Sequence, residues 1–353
     1  MVCSKTDNVM DRNIDIDSLM KHSRDEENPA NDIREEQTET ETNTDINIDA
    51  LMRDNRPKEE PRQTEEYRQT EEPRQTESPK RSQSPRGDGE VDVIRLRNIT
   101  HIFNKGEKNE YRLFENFNLT IPDLPGKGQL VSIMGASGCG KSQMLKVIAG
   151  LNKFNEGTVE IYGEKLSENH NFPMVFQTYS NFEWYTVLQN VMLPMLVKGV
   201  DKATAEAKAK DLLRRVGLED HMDKYPAKLS GGQQQRVAIA RCLACESQII
   251  LFDEATGALD IKMKREVQNI ILKIFYEMKM DPTIINVSHS IEEVCYLSNK
   301  VFILQANPCR IFKEIDIHYT GEETKPRGEW VFNTEEYANY VKTITAYMDE
   351  ICK

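Results

Sequence analysis

The chain has 353 residues, 58 of them acidic and 46 basic, for a formal net charge of −12. No stretch approaches the about 20 consecutive apolar residues that cross a bilayer. The six histidines and seven cysteines are scattered without metal-ligand or disulfide-framework spacing. An integral membrane protein, a zinc module and a disulfide-stapled domain are therefore not expected.

The acidity is local. Residues 1–90 carry 24 Asp and Glu against 14 Lys and Arg, which leaves residues 91–353 at −2. The overall charge thus says little about what the folded part binds, and no nucleic-acid partner is expected. Met1–Asn13 lacks the apolar core of a secretory signal and is too acidic for a transit sequence. The odd cysteine count suits a reducing compartment, and Cys242 and Cys245 read as buried small residues.

Residues 1–90 contain a single aromatic residue, Tyr67, and little Val, Leu or Phe. Such a segment buries too little apolar area to offset its ordering entropy, so a disordered tail is expected. A hexad, Pro-Arg-Gln-Thr-Glu-Glu, recurs from Pro61, Tyr67 and Pro73 with small changes, and it has no apolar face to stack. Asn13-Ile-Asp-Ile-Asp-Ser-Leu-Met20 is echoed by Ile46-Asn-Ile-Asp-Ala-Leu-Met52. The pair reads either as two docking motifs for a further partner or as a silent duplication.

From Val91 the pattern changes. Strands are expected at Val91–Leu96, Phe117–Ile121, Leu130–Met134, Thr158–Tyr162, Met174–Gln177, Ile249–Asp253, Thr283–Ser288 and Lys300–Leu304. Helices are expected at Lys141–Leu151, at Asp201–Val216 with Asp201 as N-cap, and at Gln233–Cys245. The alternation implies an α/β domain over residues 91–353, a sheet with a parallel core and helices packed on it. A last strand and a helix over Thr334–Ile351 are expected to pack onto that core.

Gly135-Ala-Ser-Gly-Cys-Gly-Lys-Ser142 follows a buried strand run and opens a helical one. That is the strand–loop–helix setting of the phosphate-binding pattern G-x-x-x-x-G-K-S/T. The glycines let backbone N–H groups converge on phosphate oxygens, and the helix N-terminus adds its dipole. Gly135, Ala136, Ser137, Gly138, Cys139, Gly140, Lys141, Ser142 and Gln143 are thus candidate ATP contacts. Lys141 is expected at the β- and γ-phosphates and Ser142 on Mg²⁺. The run Ile249-Ile-Leu-Phe-Asp253-Glu254 ends in two carboxylates. Asp253 is expected to face the metal, and Glu254 to take a proton from the attacking water. These residues indicate a P-loop NTPase.

A second glycine-rich helix start, Leu229-Ser-Gly-Gly-Gln-Gln-Gln-Arg236, offers another anion site. With this segment the chain resembles the ABC ATPase family, whose signature reads LSGGQ-x-QR, over about residues 91–310. The resemblance implies an antiparallel β subdomain, a mixed sheet and a helical subdomain at about 178–245. It also implies a head-to-tail dimer, homodimeric or paired with another ATPase. There Ser230, Gly231 and Gly232 of one subunit contact the γ-phosphate held by the other.

The family pattern further implies roles for Gln177 at the metal and membrane subunit, Asp260 at the dimer interface, and His289 at the γ-phosphate beside Glu254. Phe103 matches the adenine-stacking aromatic, with Tyr111 as a second candidate. Gln143 departs from the usual Ser or Thr, and Ser290 from the acid that often follows the histidine. Neither touches γ-phosphate chemistry.

The run Asn181-Phe-Glu-Trp184-Tyr-Thr-Val-Leu-Gln-Asn-Val191 is similar to that of ATPases serving nitrate, sulfonate and taurine importers. By that resemblance Gln177–Val191 receives a membrane permease, and the protein works in the cytoplasm at the inner face of the membrane. Gly257-Ala-Leu-Asp260 is instead frequent in lipoprotein-release and macrolide-export ATPases. An exporter and a non-transport regulatory ATPase therefore stay open as alternatives. Long coiled coils, zinc inserts and a second cassette, which other soluble members carry, are not in the sequence.

Overall fold

The computed structural model describes residues 91–352 except 125, 168, 169, 171, 279, 280 and 323. The expected acidic tail, its hexads and its paired apolar clusters lie outside the described residues.

Two sheets make the framework. The first is antiparallel, in the order β2-β1-β4-β5, built from β1 (Asp92–Phe103), β2 (Tyr111–Pro122), β4 (Glu156–Ile161) and β5 (Glu164–Lys165). The β1–β2 hairpin is longer than the sequence pattern indicates. Asn98, at a φ of 51°, breaks the in–out alternation, and the register shifts there let the strands continue on a new phase.

The second sheet has the order β10-β9-β3-β8-β7-β6. Its strands are β3 (Gln129–Gly135), β6 (Met174–Val175), β7 (Ile249–Asp253), β8 (Thr283–Val287), β9 (Lys300–Gln305) and β10 (Arg310–Asp316). All pairs are parallel except β10–β9. Every residue of β3, β7 and β8 is buried, which is why these strands read as continuous apolar runs. Val131 and Ile133 face one core, shared with β1, β2 and β4. Leu130 and Met134 face the other, shared with the helices.

β6 is shorter than expected and, among the described residues, pairs with β7 alone, so the chain leaves the sheet before Gln177 and places that residue on a loop. Helix α1 (Lys141–Ile148) also stops early, because Gly150, at a φ of 73°, turns the chain and Leu151 N–H returns to Lys146 O.

Helices α2 (Val187–Val197), α3 (Lys202–Arg215) and α4 (Gly231–Leu243) pack together through Val187, Val191, Ala205, Ala209, Leu213 and Val237. Each starts on a side-chain cap: Thr186, Asp201 and Ser230 accept from the backbone three residues on. Such a cap contributes about 1 kcal/mol. Capping by Ser230 draws Gly231 and Gly232 into the first turn, so α4 begins two residues before its expected start.

Among the described residues the other α-helices are α5 (Ile261–Glu277), α6 (Ile291–Leu297) and α7 (Glu335–Ile351). Arg327 fixes the C-terminal segment: it donates to Ser298 O and Ile317 O, pairs with Glu322 and lies against the Tyr319 ring. Helix α7 then rests on the helix-side core through Tyr337, Tyr340, Val341 and Ile344.

Candidate functional site

The loop between β3 and α1 is built around three backbone conformations that favour glycine. Gly135 (φ 156°), Gly138 (φ 78°) and Gly140 (φ 104°) all have positive φ. At Gly135 a β-carbon would also lie 2.6 Å from Leu304 O and 2.7 Å from Cys139 Sγ. Helix α1 enters from Gly140 with no side-chain cap, so its first-turn N–H groups stay open to an anion.

Lys141 is 7% exposed and its Nζ donates to Gly135 O (2.9 Å) and Ala136 O (3.0 Å), holding an ammonium within the loop. Ala136 O also accepts from Cys139 N–H at 3.3 Å, while Ser137 is exposed. Burial pushes the Cys139 thiol up against the opposing pull of Lys141. The Gln143 side chain is turned away to accept from Asn152.

Strand β7 carries the carboxylates to the carboxyl edge of the sheet. Ser142 Oγ donates to Asp253 Oδ1 at 2.7 Å. Burial pushes the Asp253 carboxyl up, and the Ser142 hydrogen bond works against that shift. The two groups form a pair of hard oxygen donors beside the open N–H groups, a set that suits Mg²⁺ on a phosphate.

Glu254 stands at a φ of 49°, a left-handed backbone that a non-glycine residue adopts at a cost. Its N–H donates to Val287 O, and its carbonyl accepts from Gly257 N–H. Glu254 Oε2 lies 3.5 Å from His289 Nδ1, with the two side chains 21% and 59% exposed. Gln177 is exposed on its loop, and its Nε2 faces Gly257, in the turn that follows Glu254. Lys141, Ser142, Asp253, Glu254, His289 and Gln177 are therefore brought together.

The segment Ser230–Gly232 is not joined to them: among the described residues, none of its contacts is with the phosphate loop. Ser230 Oγ accepts from Gln233 N–H at 3.4 Å, while the Gln233 side chain accepts from Ser230 N–H at 3.0 Å. A β-carbon at Gly231 would collide with the Tyr179 hydroxyl, and one at Gly232 would lie 2.8 Å from Met263 Sδ. Asp260 caps α5 by accepting from Met263 N–H at 3.0 Å, so its turn adjoins Gly232 through Met263. Phe103 ends β1 opposite Tyr111, half-buried with its ring edge-on to His101.

The aromatic run after Gln177 forms a surface. Trp184 is 68% exposed, with ring centroids 5.5 Å from Phe182 and 6.1 Å from Tyr185. Asn190, fully buried, holds the turn by donating to Phe182 O, Tyr185 O and Thr186 O. Arg241 of α4 lies under the Phe182 ring at 5.0 Å and donates to Ser180 Oγ.

Two features escape a reading of the sequence. Tyr179 backs the first glycine of the Ser230–Gly232 segment. Glu293 is buried and in contact with Thr256 in the turn after Glu254, with Ser288 next to His289, and with Lys264. The run Ser288–Glu293 is visible in the sequence, yet nothing there marks its carboxylate as turned inward.

Residues 114–257 match the ABC transporter family. An uncharacterized ABC transporter ATP-binding protein of Methanocaldococcus jannaschii is 37% identical over 261 residues, covering 74% of this chain and 93% of that protein. The nitrate import ATP-binding protein NrtD of Synechocystis is 33% identical, over 73% of this chain and 93% of its own length. The aliphatic sulfonates import ATP-binding protein SsuB of Bacillus subtilis is 38% identical, over 63% and 84%. Among solved structures, the dimeric post-hydrolysis state of an ATP-binding cassette bound to ADP and Pi aligns with a TM-score of 0.56 at 32% identity. That alignment covers 64% of this chain and 99% of the solved one.

Proposed function

The chain belongs to the ABC transporter family as an ATP-binding, ATP-hydrolysing subunit that energises transport through a separate permease, and from that premise we propose how its residues divide the work. The open N–H groups of α1 and the Lys141 ammonium bind the β- and γ-phosphates of ATP. Ser142, Asp253 and Gln177 would hold Mg²⁺, which would supply positive charge to offset that of the phosphates. Phe103 stacks on the adenine.

Glu254 accepts the proton of a water as its oxygen bonds to the γ-phosphorus and the bond to the bridging oxygen breaks, giving ADP and inorganic phosphate. His289 contacts the γ-phosphate and keeps the Glu254 carboxylate aimed. Ser230, Gly231 and Gly232 complete the site of a second ATPase subunit, with Asp260 at the interface between the two. The observation that carries this reading is the unbroken path of contacts from the phosphate loop through Ser142–Asp253 to Glu254–His289.

The Phe182–Tyr185 surface, with the rest of Gln177–Val191, is the permease contact, which places the protein at the inner face of the membrane. Among the described residues no helix is long and apolar enough to cross a membrane. Relatives named for the import of nitrate, taurine and aliphatic sulfonates support an importer of a small anionic or zwitterionic solute.

The deciding experiment is Glu254→Gln. Turnover is expected to vanish while ATP binding persists and dimers accumulate, as read by phosphate release and by light scattering with ATP. Normal phosphate release from this variant would remove Glu254 as the base.

A further inference from the structure

Glu293, on α6, is 4% exposed. Its Oε2 accepts from the Thr256 hydroxyl at 2.8 Å and from the Ser288 hydroxyl at 3.0 Å, and Lys264 Nζ lies 3.2 Å away. A carboxylate at this depth is tolerated because all three groups satisfy its charge.

The identity of the three partners gives the cluster its meaning. Thr256 is two residues past Glu254, in the same turn. Ser288 immediately precedes His289, and its hydroxyl also accepts from Ser290 N–H at 3.1 Å, so it brackets His289 on both sides. Lys264 stands one helical turn beyond Asp260, whose carbonyl accepts the Lys264 N–H. One carboxylate oxygen therefore links the turn of the base, the loop of the histidine and the helix that Asp260 caps.

The left-handed backbone at Glu254 supplies a reason for the link. A conformation that costs energy persists only where its surroundings hold it. Here the Glu254 backbone bonds to Val287 and Gly257 fix the main chain. The Thr256–Glu293 bond fixes the turn that must not rotate if Glu254 Oε2 is to stay beside His289.

We infer that Glu293 is a positioning residue for ATP hydrolysis: it locks the Glu254 turn to the His289 loop, and through Lys264 ties both to the Asp260 helix. This rests on Glu254 as the base. The role differs from a merely structural one in its kinetics. A misplaced base lowers kcat and leaves nucleotide binding, which is built by the phosphate loop, unaffected.

Steady-state phosphate release by the full chain tests it. Glu293→Gln keeps the side-chain shape but strands the Lys264 ammonium, and Thr256→Val removes one clamp bond without changing shape. Glu293→Gln is expected to lower kcat about 10–100-fold, the range for small displacements of a reacting group, with the KM for MgATP and the Tm preserved. Thr256→Val is expected to move kcat in the same direction by less, and it carries the test if Glu293→Gln does not fold.

Wild-type kcat in a folded Glu293→Gln protein, or a loss carried wholly by KM, would overturn the inference. Glu254→Gln run in parallel separates the two failures. If Glu254→Gln is inert while Glu293→Gln is normal, only the positioning role falls. If Glu254→Gln itself turns over, the base assignment falls as well.

Discussion

Two helices in this chain begin with glycines at a place suited to phosphate, and they are finished differently. Helix α1 enters from Gly140 with left-handed backbone and no side-chain cap. Helix α4 enters from Ser230, which closes a reciprocal capping box with Gln233. Both present the positive end of a helix dipole. In α1 the open N–H groups leave the anion as their natural partner, whereas in α4 the chain supplies its own. The 3.4 Å bond from Gln233 N–H to Ser230 Oγ is at the long end for such a contact. Under the roles proposed above, one helix captures nucleotide within a subunit. The other engages only when a second subunit brings its nucleotide close.

The largest effect that sharpens this contrast is expected from Lys141→Ala. Loss of the ammonium should reduce both nucleotide binding and turnover, the latter by about 10²–10³-fold or more, as for other lost contacts to developing charge. Gly231→Ala should also stop turnover, because its β-carbon meets the Tyr179 hydroxyl, yet leave the binding of nucleotide by an isolated subunit intact. Adding Tyr179→Phe removes the atom met first and should recover part of the rate. Titration with a fluorescent nucleotide reads binding in each case. If Gly231→Ala weakened it as much as Lys141→Ala, the division between the two helix starts would break. The smallest effect on the fold is expected from Trp184→Ala, within about 0.5 kcal/mol of stability for an exposed side chain. Under the contact proposed for Gln177–Val191, its consequence should appear instead as lost recovery of the permease.

The residues proposed for phosphate chemistry were legible because they are local. Gly135–Ser142, Asp253–Glu254 and Leu229–Arg236 each place their reactive groups within a few residues, next to a strand or helix whose periodicity is plain. The buried strands β3, β7 and β8 were equally visible, since both faces are covered and the apolar runs are unbroken. Contacts made across the chain were not visible. Tyr179 against Gly231 and Glu293 against Thr256 join residues dozens of positions apart, and no local pattern distinguishes an inward glutamate from a solvated one. The length of β1 was hidden for another reason: the irregularity at Asn98 resets the alternation that marks a strand.

The exposed indole of Trp184 has a practical consequence. The chain has two tryptophans, Trp184 and Trp330. Trp330 is packed with the C-terminal segment, its indole N–H donating to Pro326 O. An indole in water emits at longer wavelength than one enclosed by protein, so burial of Trp184 under a docking partner would shift the unlabelled emission to the blue. With Trp184 in the proposed permease contact, the chain would carry its own optical gauge of assembly, and replacing Trp330 with Phe would leave that gauge reading a single surface.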